Sequence, residues 1–305
     1  MTSPEPVLLY LCYGRQEIYD QAIYSILSLM RVAGDPPLGC RIVVYCDRPS
    51  TFAGLPVDVV HIEDATLERW LDGGDYVHRR KTCAIIDALD RFGGKVVFID
   101  TDTYFTRPPA SLFHRVGRGR ACFHIREGCI RSTATMPDRA LVKQLEQGDY
   151  RLSSGAPVIV EADTPMWNTG IVAIDATDIG LVREALSLSD AIWAGADPTG
   201  MDGKKIHHGE QFAMGYAFRH CALSEAADLV YHYWPYPTKA EFAGRLPTLV
   251  RAGLADRSPA TLDMLYAQRP RERGFLALKD TVKMQVRRTG QLLGVPLPGV
   301  RRSVA

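Results

Sequence analysis

The chain has 305 residues, 46% of them apolar and 23% charged, with a formal net charge of +1. That suits a soluble globular protein with room for one large α/β domain or two small ones, and it supplies no basic field for nucleic acid. Seven scattered cysteines without a Cys-x-x-Cys pair suit reduced thiols better than a disulfide framework. Met1–Pro6 holds no basic leader, and no stretch reaches the roughly 18 apolar residues of a membrane span, so a soluble, cytoplasmic protein is expected.

Val7–Cys12 is an apolar run that predicts a buried strand, ended by Tyr13–Gly14–Arg15. A helix is expected over about Glu17–Ala33, with Ile23, Ile26, Leu27 and Met30 on one face, stopped by Gly34–Asp35–Pro36–Pro37. Arg41–Cys46 and Val57–His61 read as further strands. Strand, helix, strand at this spacing is the βαβ signature of a mostly parallel sheet. The first βα turn has no Gly-x-Gly-x-x-Gly, which disfavours an ordinary dinucleotide fold. A helix over Val77–Phe92 starts with Arg79, Arg80 and Lys81. Cations at a helix N-terminus oppose its dipole, so one of them serving an anion stands beside a solvated basic face.

Lys95–Ile99 then leads into Asp100–Thr101–Asp102. An unbroken β-rich run reads as a strand buried on both faces, which puts both aspartates at its carboxyl end, where open α/β sheets bind ligands. Residues i and i+2 of an extended chain share a side, so two carboxylates would crowd one volume unless a cation neutralised them. A hard divalent ion does so, and its remaining positions accept phosphate oxygens. Ordinary turn chemistry is the alternative reading of Asp-x-Asp.

The chain to about Pro165 shows few clear elements, Ala121–Ile125 being a strand candidate. Cys122, His124 and Cys129 match no zinc spacing and read as core. Ile171–Ile174 is strand-like, with Asn168 and Thr169 just ahead of it and Gly170 allowing close backbone approach. A helix follows over about Ile179–Ala194. Gly209 and the run after it put Glu210 and Gln211 in a first helical turn, with His207 and His208 as loop residues. Asp228–Lys239 reads as a short apolar strand followed by an aromatic, proline-rich loop. His232 alone reads as a core histidine. Lys279–Arg302 is a basic, partly apolar tail, either solvated or touching an acidic membrane surface.

Together these stretches resemble a GT-A glycosyltransferase, and are most similar to family 8, the glycogenin and lipopolysaccharide galactosyltransferase group. The resemblance covers about Val7 to Lys239. The opening strand with Tyr19, Ser25, Ser28 and Leu29 is similar to that group's first strand and helix. Phe98–Ile99–Asp100–Thr101–Asp102 resembles its metal-binding Asp-x-Asp, and Trp167–Asn168–Thr169–Gly170 its Asn-Ser-Gly segment. Glu210–Gln211 resembles its Asp-Gln near the transferred sugar. His232 and Lys239 resemble its late metal ligand and its diphosphate lysine. Glu210 for Asp, Thr169 for Ser and a Tyr/Pro-rich loop before Lys239 mark a divergent member or a neighbouring family.

The resemblance implies a GT-A fold over 1–240, α/β with a mostly parallel central sheet flanked by helices and a Rossmann-like N-terminal half. Residues 241–305 would be a helical extension with the basic tail. It implies metal-dependent transfer of a sugar from a nucleotide-diphosphate sugar, with UDP-sugar the implied donor, to an acceptor hydroxyl with retention. Asp100, Asp102 and His232 would hold Mn²⁺ or Mg²⁺, the mixed oxygen and nitrogen set leaning to Mn²⁺. Lys239 and one of Arg80 or Lys81 would meet the diphosphate, Tyr13 would stack on the base, and Thr101 with Asp100 would line the nucleotide-sugar site. Asn168, Glu210 and Gln211 would orient donor sugar and acceptor, Gln211 also being the residue for a transient adduct. The acceptor stays open among a saccharide, a lipid-linked glycan, a protein and a small metabolite. Two other readings stand: a haloacid-dehalogenase-type phosphohydrolase using Asp100 and Asp102, and a protein that binds nucleotide-sugars without transfer.

Overall fold

The computed structural model describes residues 4–34, 39–131, 139–161, 163–195, 208–234 and 238–271. His207 and the basic tail Lys279–Arg302 lie outside the described residues. The chain opens with β1 (Val7–Cys12), α1 (Gln16–Ala33), β2 (Arg41–Cys46), β3 (Asp58–His61), α2 (Asp64–Arg69) and α3 (Arg79–Phe92). Next come β4 (Lys95–Ile99), β5 (Thr103–Phe105), α4 (Ala110–Arg115), β6 (Arg120–Cys129), α5 (Arg139–Gln147), β7 (Pro165–Asp175) and α6 (Ile179–Ala194). The last described elements are α7 (Gly209–Ala217), β8 (Ala222–Glu225), β9 (Val230–His232), α8 (Thr238–Ala243), α9 (Leu246–Ala255) and α10 (Pro259–Ala267).

Seven strands form one sheet in the order β3-β2-β1-β4-β7-β6-β8, while β5 and β9 pair as a separate two-stranded sheet. The β3-β2-β1-β4 half is parallel throughout. β7 runs antiparallel to both β4 and β6, and β8 is parallel to β6. The protein is therefore α/β, with a mostly parallel central sheet flanked by helices and an N-terminal half of Rossmann-like order.

The unbroken apolar runs of β1 and β4 follow from burial on both faces. Leu8, Tyr10, Val97 and Ile99 pack with Ile23, Ile26 and Leu27 of α1 and with Leu249 and Leu262 of α9 and α10. Val7, Leu9, Val96 and Phe98 pack on the other side with Ala84, Ile85 and Ala88 of α3, Val182 of α6 and Met214 of α7. The helices α9 and α10, expected as part of an extension, thus close the core over α1. Tyr24 donates its hydroxyl hydrogen to the Leu265 carbonyl at 3.0 Å, and Arg31 pairs with Asp263 at 2.7 Å.

Two sequence expectations change in ways that matter for the cleft. Asn168 and Thr169 lie inside β7, not ahead of it. The first part of that strand, Pro165–Asn168, pairs with β6, and Ile171–Asp175 pairs with β4. Asp100–Thr101–Asp102 is not extended chain but a bend between β4 and β5. The aspartates converge because the bend hands the chain from one sheet to the other, where Thr103 sits opposite His232. The α3 helix also begins at Arg79, two residues later than the sequence suggests.

Candidate functional site

The carboxyl ends of β1 and β4 open on one cleft of about 640 Å³. Strand order reverses between these two strands, the position where open α/β sheets bind ligands. Tyr13 and Gly14 line it from the first βα turn, Asp100–Asp102 from the bend after β4, Lys81 from α3, and Asn168 from β7. Glu210 and Gln211 enter from α7, His232 from β9 and Lys239 from α8. All the residues expected from the sequence meet there except Arg80.

Arg80 is held away from the cleft. Its Nε donates to the Leu67 carbonyl at 3.0 Å and its Nη2 pairs with Glu68 at 3.0 Å. Its guanidinium lies 4.9 Å from the Tyr13 ring centroid, so it supports the tyrosine instead of reaching a ligand itself. Arg79 is likewise engaged by Asp190 at 2.8 Å. Of the three cations that open α3, Lys81 turns into the cleft. Its Nζ donates to the Thr169 carbonyl and hydroxyl, each at 2.9 Å, and lies 3.4 Å from Glu210 Oε2. Burial works against charge on Lys81, but Asp100, Glu210 and Asp102 outweigh it and hold its pKa above the ordinary lysine value.

Asp100, Asp102 and His232 each offer one ligand atom, and the three atoms lie within 4.8 Å of one another. His232 Nε2 is 3.1 Å from Asp102 Oδ1 and 3.9 Å from Asp100 Oδ2. Its other nitrogen, Nδ1, is 3.1 Å from Asn168 Oδ1, which already accepts from the Gly170 N–H at 2.9 Å. A backbone donor on Oδ1 fixes the amide, so the imidazole presents Nδ1–H to it and turns Nε2 to the aspartates. A second hydrogen bond that sets the tautomer in this way is the usual support of a metal-bound histidine. Asn168 thus stands behind His232, and its Nδ2 donates to Glu127 Oε1 at 3.0 Å.

The carboxyls differ electrostatically. Burial pushes Asp100 above the usual carboxylate range, with Asp102 adding to the rise and Lys81 and His232 opposing it. Burial also works against Asp102, but His232 and the Lys239 ammonium, 2.7 Å away, hold it well below that range. Two carboxyls that split in this way share a space whose negative charge is not fully matched. Oxygen and imidazole donors grouped in this way could hold a metal ion.

The bend is braced from α1. Thr101 donates to Gln21 Oε1 at 3.0 Å, Thr103 and Ser25 hydroxyls meet at 2.9 Å, and Ser28 Oγ accepts from the Phe105 N–H at 2.8 Å. Across the cleft, Thr169 donates to Glu210 Oε2 at 2.9 Å, while Glu210 Oε1 is buried with no hydrogen-bond partner among the described residues. The Glu210 N–H donates to Tyr76 Oη at 2.7 Å, and the Tyr76 ring stacks on Trp193 at 4.3 Å. His208 lines the cleft but stands outside the Asp-Asp-His cluster. His124, 5.3 Å from His232, is pushed down to about 3 by burial and by that neighbour, and so stays neutral. The sequence reading missed Glu127, Tyr76, Gln21 and Trp234, the last a half-exposed indole on the cleft wall beside His232.

These features define an α/β protein of Rossmann-like order with an acid–imidazole cluster and two lysines at the ligand-binding edge of its sheet. No protein-family model matches the chain, and no curated protein matches it significantly. No helix among the described residues is long and apolar enough to cross a membrane.

Proposed function

We propose that the protein is a metal-dependent glycosyltransferase of the GT-A type, taking a sugar from a nucleotide-diphosphate sugar to an acceptor hydroxyl. One observation carries the reading: Asp100, Asp102 and His232 converge in the cleft that Lys81 and Lys239 also line. A site with both clustered anions and buried cations suits a ligand that brings a metal ion and phosphates together.

A divalent cation held by Asp100, Asp102 and His232 would neutralise the diphosphate as negative charge builds on the leaving group. Lys81 and Lys239 add fixed positive charge to the same oxygens, and the pKa held high on Lys81 keeps it protonated for that task. Tyr13, backed by Arg80, offers a flat face to the base at the mouth of β1. The unpaired Glu210 Oε1 accepts a sugar hydroxyl, which would satisfy a buried oxygen that otherwise costs stability. Gln211 sits beside it, one residue further into α7, where it can face the reacting carbon. Asn168 acts on His232 by fixing its tautomer.

The test is a thermal-shift panel of UDP-, GDP-, ADP- and dTDP-sugars, each with and without Mn²⁺. A ligand at a hundred times its Kd stabilises by about 2.7 kcal/mol. For a chain of this size that raises Tm by roughly 5–10 °C. One nucleotide should give a shift that needs the metal and that Asp102→Asn abolishes while the far-UV circular dichroism is kept. A folded protein that no donor shifts would sink the proposal.

A further inference from the structure

We propose that a second ligand site, for a molecule bearing a phosphate group, lies behind α8 in a cavity of about 330 Å³. Thr238, Glu241, Arg245, Gln268, Arg269 and Arg271 line it, and among the described residues it shares none with the cleft. The two sites lie on either side of α8. Lys239 faces the cleft, while its neighbour Thr238 and Glu241 face the cavity.

The arginines carry the argument. Elsewhere in the protein Arg31, Arg41, Arg79, Arg80, Arg115 and Arg183 each ion-pair with a carboxylate, whereas Arg69 and Arg219 bond to neutral oxygens three residues away, so it is convergence that sets the next three apart. Among the described residues no carboxylate pairs with Arg245, Arg269 or Arg271, although all three converge on one concavity. Among the described residues, three arginines against one glutamate give this wall excess positive charge. Guanidinium forks match the spacing of phosphate oxygens, and each charge-assisted bond is stronger than a neutral one.

Arg245 and Arg269 are also held in place before any ligand arrives. The Arg269 guanidinium lies 3.9 Å from the Tyr266 ring centroid, and its Nη1 donates to the Tyr266 carbonyl at 2.9 Å. The next residue, Pro270, accepts from the Tyr104 hydroxyl at 3.1 Å, and Tyr104 stacks on Tyr231 at 5.0 Å. Arg245 lies over the Phe242 ring at 5.6 Å. Side chains ordered beforehand lose less entropy on binding, which raises affinity. The volume exceeds a bare phosphate and admits a small esterified alcohol, either a soluble phosphomonoester or the headgroup of a phospholipid. The site does not depend on the activity proposed above.

The experiment uses the full chain in EDTA at fixed ionic strength. Inorganic phosphate and glycerol 1-phosphate are titrated by calorimetry into wild type and an Arg245→Gln/Arg271→Gln variant, whose changed residues are exposed and whose fold is checked by circular dichroism. In parallel, phosphatidylglycerol and phosphatidylcholine vesicles are co-sedimented with both proteins. Saturable binding of either soluble probe, weakened about ten-fold or more in the variant, supports a soluble phosphoester. Pelleting with phosphatidylglycerol alone, lost in the variant, supports the headgroup. Equal binding by both proteins would place the anion elsewhere, and binding of no probe would leave the arginines without a ligand. Either result overturns the inference.

Discussion

Gly170 is where the candidate metal cluster is most exposed to a single change. A Cβ at this position would stand 2.2 Å from His232 Nδ1, 2.4 Å from its Cε1 and 2.9 Å from Asn168 Oδ1. Ordinary contacts need about 3.5 Å, so Gly170→Ala must push the imidazole back by roughly 1 Å. Strand backbone cannot yield that much here, because the Gly170 carbonyl accepts from the Asp100 N–H at 2.8 Å and its own N–H is bound by Asn168. Overpacking of this kind costs about 1–3 kcal/mol. In a chain of this size that lowers Tm by about 2–4 °C for each kcal/mol. The larger effect falls on the ligand set. With Nε2 displaced from the aspartates, Mn²⁺ affinity should drop about 10–100-fold, as it does when the support of a metal-bound histidine is removed. Manganese titration followed by electron paramagnetic resonance gives the affinity, and melts in EDTA give the metal-free stability. A His232→Ala background checks the cause, since without the imidazole the methyl group has nothing comparable to strike and Gly170→Ala should add little further loss of metal. Wild-type Mn²⁺ affinity in Gly170→Ala would refute both the contact and the role given to His232.

Lys81→Met should destabilise by about 3–5 kcal/mol in chemical denaturation, because it strands Glu210 and Asp100 without their buried cation. Lys81→Met/Glu210→Gln should recover much of that loss, and a single variant within error of wild type would show that the pair is not coupled. Asp228 is held below the usual carboxylate range by its hydrogen bonds to Arg115, so its contribution is present above that range and fades as pH falls through the folded pKa. The pair is half exposed, so Asp228→Asn should cost under about 1 kcal/mol at neutral pH. The gap in Tm between the two proteins should close in acid, and a gap that widens there would reverse the sign of the argument. Lys239 occupies Asp102 Oδ2 at 2.7 Å, so Lys239→Met should bind Mn²⁺ alone more tightly and Mn²⁺ with a nucleoside diphosphate more weakly. Weaker binding of Mn²⁺ alone would mean that Lys239 does not compete for that oxygen.

How far the chain could be read varies with how local each signal is. The apolar runs of β1 and β4 and the helix Ile179–Ala194 were legible because burial on two faces, or on one stripe, writes itself into consecutive residues. β9 was legible as a short apolar run before the aromatic loop, whereas its partner β5 has three residues and exists only because it pairs with β9 across the fold, so nothing local announces it. β6 was half read because register shifts between Phe123 and Ile125 and between Arg126 and Gly128 break its alternation. Within the cleft, Asp100 and Asp102 stand out behind their strand, whereas His232 gained its role only through resemblance. The choice between Arg80 and Lys81 had a usable signal. Lys81 is in phase with Ala84, Ile85 and Ala88, the buried stripe of α3, and so had to point inward. Glu127 had none, lying between Arg126 and Gly128 at a bulge whose direction depends on pairing with β7.

The arrangement of charge around the cleft narrows what can occupy it. Asp102 is drawn toward ionisation by His232 and Lys239, while Asp100 is pushed toward the protonated form by burial. A bare divalent cation would satisfy the aspartates, yet it would sit among Lys81 and Lys239, whose charges repel it. A bare anion would suit the lysines but meet two aspartates and Glu210. Neither ion alone satisfies both halves, because each would leave buried like charges facing each other. A cation already chelated by phosphates would satisfy both, with Asp100, Asp102 and His232 as the residues to hold the metal and the lysines to meet the phosphate charge. Glu210 Oε1, without a hydrogen-bond partner among the described residues, would be left for a hydroxyl donor on another part of the ligand. That sequence of metal, diphosphate and hydroxyl-bearing group is the order of parts in a nucleotide-sugar, and it supports that donor over a simple phosphoester, which would leave Glu210 unmatched.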